Sequence, residues 1–265
     1  MRVALGICYD GGRFGGWQSQ PSGDTVQDHL ERALAKIAGR KVRTVAAGRT
    51  DAGVHATGQV VHFDTEAARP SSAWIRGTNA FLPDAIAVQW AAEVDEGFHA
   101  RYSAVARTYR YVLYTHPVRP SLMAPYVGWF HRPLDENAMR EGARHLLGQH
   151  DFSAFRASEC QAKTPVRTLH SLTVARRGPY IAIELRADAF LHHMVRNIVG
   201  CLVYVGSGRQ PPEWMAEVRD GRDRNAAAPT FAPNGLYLSR VDYGPQWTFP
   251  LFAPMIPVCT EAFDE

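Results

Sequence analysis

The residues best suited to chemistry stand in one short stretch, Gly48-Arg49-Thr50-Asp51-Ala52-Gly53-Val54-His55. Glycines on both sides allow tight turns, and such a loop on a rigid scaffold can present a carboxylate to a ligand. On spacing alone the plainer arrangement is a surface turn in which Asp51 caps backbone N–H groups and pairs with Arg49. Two histidine pairs, His55 with His62 and His192 with His193, lack the helical i, i+4 spacing and carboxylate companions of a zinc hydrolase, so no metal site is expected. The glycine-rich run Gly11 to Gly16 has no Lys-Ser/Thr and is not G-x-G-x-x-G, which argues against a nucleotide phosphate loop or a dinucleotide site.

These residues need a scaffold, and the periodicity of the chain supplies one. Val3, Leu5, Ile7 and Tyr9 alternate along a strand over residues 2 to 9 that Asp10-Gly11-Gly12 ends. Thr25 and Asp28 resemble a capping box, apolar residues from Val26 to Ile37 follow at helical spacing, and Gly39 closes the helix. Strands are expected at 42–47 and 58–63, a helix near 71–80 and a strand at Ile86 to Val94, giving the order β-α-β-β-α-β. The order recurs in a strand at 107–115, a helix at 135–147, strands at 166–176 and 180–187, a helix at 191–206 and a strand at 235–243. A short extra helix at 212–220 interrupts the second round. The fold class is therefore α+β, two ferredoxin-like halves sharing a largely antiparallel sheet with a central cleft. Residues 1–103 form the half with the Asp51 loop, 104–243 the second half, and 244–265 a proline-rich tail whose Trp247, Phe249, Leu251 and Phe252 should lie against the body or a second subunit.

Composition narrows the possibilities further. At 265 residues, 46% hydrophobic and 21% charged, the chain has the make-up of a folded soluble protein in two domains. No apolar run is long enough to cross a bilayer and the start does not read as a signal peptide, so no membrane association is expected and the expected location is cytoplasmic. Cys8, Cys160, Cys201 and Cys259 are widely spaced and read as reduced, mostly buried thiols. Of the 29 basic residues three are Lys (Lys36, Lys41 and Lys163), leaving 26 Arg. Arginine is the better fork-shaped donor to phosphate, although a GC-rich coding sequence produces the same bias.

The stretch GRTDAGVHATGQVVHF resembles the catalytic motif of the TruA family of tRNA pseudouridine synthases. YDGGRFGGWQ, ARTYRYVLY, HDFSAF with CQAKTPVRTL, FLHHMVRNIVG and GLYL are similar to other segments of that family, so the resemblance spans roughly residues 3 to 243. It implies isomerisation of uridine to pseudouridine in the anticodon arm of tRNA, around positions 38 to 40, by a homodimer and without a cofactor. Carried over by position, Asp51 is the catalytic aspartate, Arg49 the base-flipping arginine, Tyr109 the active-site tyrosine and Arg196 the cleft arginine. Arg49, Tyr109, His55, Arg107 and His192 are the expected substrate contacts. Helical spacing puts His192, Arg196 and Val199 on one side of their helix, with Met194, Ile198 and Leu202 available to pack. Two other readings use the same residues, a catalytically silent RNA-binding protein with a ferredoxin-like fold and a metal-dependent RNA hydrolase.

Overall fold

The computed structural model describes residues 1–250, and the chain divides into two compact units. The first comprises Met1–Arg107 together with the described residues from Tyr237 onwards, and the second comprises Thr108–Leu236.

In the first unit β1 (Arg2–Tyr9) is followed by α1 (Val26–Ala38), β2 (Val45–Ala46), β3 (His55–Asp64), a helical segment with a π-type turn at Ala73–Gly77, and β4 (Ile86–Val94). β1 lies between β4 and β3, β2 pairs with β3, and all these pairings are antiparallel. Thr25 accepts the Asp28 N–H as the α1 N-cap, and Gly39 ends the helix in the left-handed conformation at φ 72°. The expected strand at 42–47 shrinks to Val45–Ala46 because side chains of α1 take the backbone hydrogen bonds of Thr44. Its N–H donates to Glu31 Oε1 at 2.8 Å and its carbonyl accepts from Gln27 Nε2 at 3.2 Å.

β1 is buried on both faces, and its residue sizes explain how. Val3, Leu5 and Ile7 alternate with the small residues Ala4, Gly6 and Cys8, and Val3 is registered with Phe63, which meets Trp74 edge-on at 5.2 Å. On the small-residue face Ala4, Val60 and Trp90 pack with Phe98, against which Trp247 and Phe249 lie at ring distances of 5.4 and 5.3 Å. The tail thus lies on the first unit as far as residue 250, while its remainder, 251–265 with Cys259, falls outside the described residues.

The second unit takes most of β5 (Ala104–Thr115), then β6 (Gly128–Phe130), α2 (Glu136–Arg144), β7 (Gly148–Asp151), β8 (Val166–Arg177), β9 (Tyr180–Ala187), α3 (Met194–Gly206) and α4 (Trp214–Gly221). Its sheet runs β5-β9-β8-β7, with β6 parallel to β5. β8 and β9 turn tightly through Gly178 at φ 55°. α3 is apolar nearly all round and buried along most of its length, with α2 packed against it through Met139 beside Gly206 and α4 against α2 through Met215 beside Gly142. The last strand, β10 (Leu236–Tyr243), pairs in parallel with β3 through Tyr237↔His55 and Leu238↔Ala56. Both units are α+β with mainly antiparallel strands, as the element order predicts. The three cysteines among the described residues are free thiols.

Candidate active site

Asp51 stands half-buried between the short β2 and β3, and its neighbours are clamped from several directions. Thr50 is buried, its Oγ1 shares a hydrogen bond of 2.8 Å with the Tyr9 hydroxyl, and its carbonyl accepts the Trp17 N–H at 3.0 Å. Gly48 is held at both backbone groups by the fully buried Gln59, whose Nε2 donates to the Gly48 carbonyl at 2.7 Å and whose Oε1 accepts its N–H at 3.4 Å. Burial drives the Tyr9 phenol up to about 12 despite its hydrogen bonds with Thr50 and Gln59, so the clamp is neutral.

The opening YDGGRFGGWQ acts as a buttress for this loop. The Gly11 carbonyl accepts the Gly53 N–H at 3.2 Å, and a Cβ on Gly11 would lie 1.9 Å from the Val54 carbonyl oxygen. Gly16, at φ 94°, passes so close that a Cβ would stand 2.9 Å from the Thr50 carbonyl oxygen. The sequence reads this segment as the turn that ends the first strand, as a poor phosphate loop and as part of a resemblance, and not as a support for the Asp51 loop. The pairs of glycines after a strand were the signal that backbone must pass close to backbone there.

Arg49 is exposed and forms no hydrogen bond or ion pair among the described residues. The plain turn, with Arg49 paired to Asp51, is therefore not what the chain adopts. His55 is buried, stacks on Tyr237 at 4.8 Å, and accepts the Gly11 N–H at Nδ1 over 3.1 Å. That bond leaves the ring proton on Nε2. Asp10 Oδ1 lies 3.2 Å from the same Nδ1, so charging His55 would exchange the backbone bond for an ion pair. Arg107 is also buried. Its guanidinium donates to the carbonyls of Ala47, Ala104 and Arg101, which fixes the strand leading into the Asp51 loop.

The remaining predicted residues belong to the second unit. Tyr109 on β5 is buried and meets Phe190 edge-on at 5.0 Å. His192 and His193 are half-buried with their rings 4.0 Å apart, and His193 starts α3 from the left-handed region at φ 61° without a side-chain cap. This conformation costs a non-glycine residue on the order of 1 kcal/mol, and such residues gather at functional sites. The helix starts at Met194 and not at 191 for this reason. Arg196 is half-buried, its Nε donates to the Phe231 carbonyl at 2.8 Å, and its own carbonyl accepts the Phe231 N–H at 3.2 Å.

Two residues that sequence reasoning passed over hold this end of α3. Asn197 is fully buried, donates to the Phe155 carbonyl at 2.8 Å and accepts from Arg224 and Thr230. Its signal was a polar residue on an otherwise apolar helix. Cys160 Sγ accepts the His192 N–H at 3.4 Å. Burial would raise this thiol, but hydrogen bonds from the Ala162 and His192 backbones and the Arg156 charge outweigh it and leave it below the ordinary value.

Site and fold together describe a mixed α+β protein that presents an aspartate from a clamped loop, with an arginine two residues before it that is unpaired among the described residues. The model of a family described as tRNA pseudouridine synthase matches residues 7–103 and 143–244. The tRNA pseudouridine synthase A of Paraburkholderia phytofirmans is 60% identical over 249 residues, covering 94% of this chain and 92% of that protein. Those of Paraburkholderia xenovorans and Burkholderia multivorans are each 59% identical, again over 94% of this chain and over 92% and 93% of their own lengths. The chain belongs to the tRNA pseudouridine synthase family. It is accordingly an isomerase that converts uridine to pseudouridine in tRNA. Among the described residues no helix is long and apolar enough to cross a membrane.

Proposed function

We propose that the uridines isomerised lie in the anticodon arm, around positions 38 to 40, and that Asp51 is the residue on which the chemistry turns. The reaction breaks the bond from ribose C1′ to N1, joins C1′ to C5, releases the C5 proton and returns a proton to N1. Electrons balance within the nucleotide, so no redox partner or external group enters. A carboxylate serves as nucleophile on the sugar, as nucleophile on the base, or as the base for elimination to a glycal, and each route needs it ionised.

The observation carrying this reading is the contrast within one tripeptide, a clamped Thr50 between a half-buried Asp51 and an unpaired, exposed Arg49. A rigid carboxylate suits chemistry, and a free arginine suits filling the gap left by an extruded base, whose removal costs a few kcal/mol. Tyr109 is assigned to stacking on the extruded uracil, Arg196 to the catalytic set, and His55, Arg107 and His192 to contacts with the substrate. We further assign a homodimer acting in the cytoplasm, on the family resemblance.

Tritium release from tRNA labelled at uridine C5 tests the central assignment. Asp51→Asn and Asp51→Ala should release none while binding tRNA within a few-fold of wild type. Substantial turnover in either would remove Asp51 from its role.

A further inference from the structure

A cavity of about 490 Å³ opens at the C-terminal end of α3, within the second unit and outside the residues assigned to the reaction. Its lining includes Phe130, His131, Arg132, Tyr204 and Arg209 and contains no carboxylate. Backbone geometry builds it. Gly208, at φ 71°, turns the chain back after α3, the Arg209 N–H donates to the Tyr204 carbonyl at 3.0 Å, and the Arg209 guanidinium comes to rest 4.3 Å over the Tyr204 ring. Trp214 also lies against Tyr204, nearly parallel to it at 6.0 Å. Facing them, the segment carrying His131 and Arg132 is tied to the helix end by the Asp135 N–H, which donates to the Gly206 carbonyl at 2.7 Å.

Arg132 and Arg209 are both exposed, and neither pairs with a carboxylate among the described residues. Arg2, Arg110, Arg140, Arg176 and Arg219, by contrast, hold acidic partners that take up their charge. Two unpaired guanidiniums converging on a carboxylate-free pocket leave positive charge for an anion to neutralise. The helix end supplies the opposite sign, so only the arginines could hold it. A planar arginine kept on an aromatic face also offers its outer face for a base to stack on, and His131 adds a second ring. Phosphate donors interleaved with aromatic faces fit a polynucleotide better than an acidic peptide, which has no base to stack.

We infer that this pocket binds one phosphate-linked nucleotide of the RNA substrate, other than the reacting uridine. Arg132 and Arg209 clasp the phosphate and the Arg209–Tyr204 stack receives the base. Arg196 and Tyr204 are eight residues apart on one helix, about 12 Å at 1.5 Å per residue, so the pocket takes RNA that the reacting site does not. The inference rests on tRNA being the substrate.

The test is tRNA affinity measured by filter binding across a range of salt, with tritium release by wild type as the reference. Arg132→Ala with Arg209→Ala should weaken binding roughly ten-fold and lower the salt slope by about 1, for the one phosphate the two arginines neutralise. Lysine at both positions should restore the slope while recovering only part of the affinity, since charge returns without the planar fork. Should the double alanine variant fail to fold, each single variant, expected to weaken binding several-fold and to lower the slope by a fraction of about 1, decides the matter. Affinity and slope both unchanged, in variants whose wild-type parent isomerises tRNA, would overturn the pocket and leave the enzyme assignment standing. A wild type that binds tRNA but releases no tritium would instead overturn the assignment of the reaction.

Discussion

The Asp51 loop of the first unit is fixed by neutral, buried groups contributed from far away in sequence, Tyr9, Trp17, Gln59 and Gly11. The start of α3 in the second unit is fixed by carbonyl latches at Phe155 and Phe231, and it includes a histidine in a conformation that costs energy. The first arrangement makes a rigid carboxylate. The second stores strain beside an arginine. Where atoms of the protein must hold still during bond exchange, hydrogen bonds satisfied out of water serve best, because any departure leaves a buried group unpaired.

Breaking the chemistry without the clamp should give the largest effect. Asp51→Asn should lower the single-turnover rate by about three orders of magnitude or more with melting temperature little changed. Next is Gly11→Ala, whose Cβ would meet the Val54 carbonyl at 1.9 Å. Backbone on both sides cannot yield, so a loss of about 3 kcal/mol or more in denaturant unfolding is expected, accompanied by loss of activity.

The first unit also depends on groups that stay uncharged, which makes it sensitive to acid. Burial, together with the charges of Arg2 and His99, lowers His62 from 6.5 to about 4, and its Nδ1 accepts the Ala100 N–H at 3.1 Å. The folded state resists protonation more than the unfolded state. Stability from this group is therefore complete above pH 6.5 and is lost as pH falls towards 4, by at most about 1.4 kcal/mol per pH unit. His62→Asn, which keeps an acceptor but cannot titrate, should flatten urea-unfolding stability across that window, and an unchanged slope would assign the loss to other groups.

Tyr9→Phe should cost about 1–2 kcal/mol by stranding Thr50, and adding Thr50→Val should cost less than the sum of the two, since the second change removes the stranded partner. The smallest effect, opposite in sign, is expected of His193→Gly. Relief of the left-handed strain should stabilise the protein by up to about 1 kcal/mol, against the greater freedom of the unfolded glycine. A gain in stability with a loss of rate would mark the strain as functional, and a loss of stability would show that contacts of the histidine outweigh it.

Much of this scaffold was legible where periodicity and end signals coincide, as in β1, α1 with Thr25 and Gly39, and β4. Elements fixed by tertiary bonds were not. β2 was overextended because Glu31 and Gln27, one helix away, satisfy Thr44, and the short β6 and β7 carry no repeating pattern to read. The start of α3 was placed early because periodicity cannot see the conformation of His193. At the site, residue types point to Asp51 and Arg49, while the hydrogen bonds of Arg107 to three backbone carbonyls have no signal in the spacing of the chain. A motif states which residue is present and not which way its charge is used.

The return of the chain to the first unit at Tyr237 has a consequence for synthesis in the cell. His55, just beyond the Asp51 loop, stacks on Tyr237, and β3 gains β10 as a neighbour only after residues 108–236 have been made. At translation speeds of about 5–20 residues per second, that stretch keeps the ribosome busy for roughly ten seconds. Until then this edge of β3 has no β10, and the loop beside it is unfinished. A nascent chain stalled inside the second unit would carry Asp51 and Arg49 yet lack the strand beside His55, so the setting of the Asp51 loop is completed by the last strand and not by the residues nearest it in sequence.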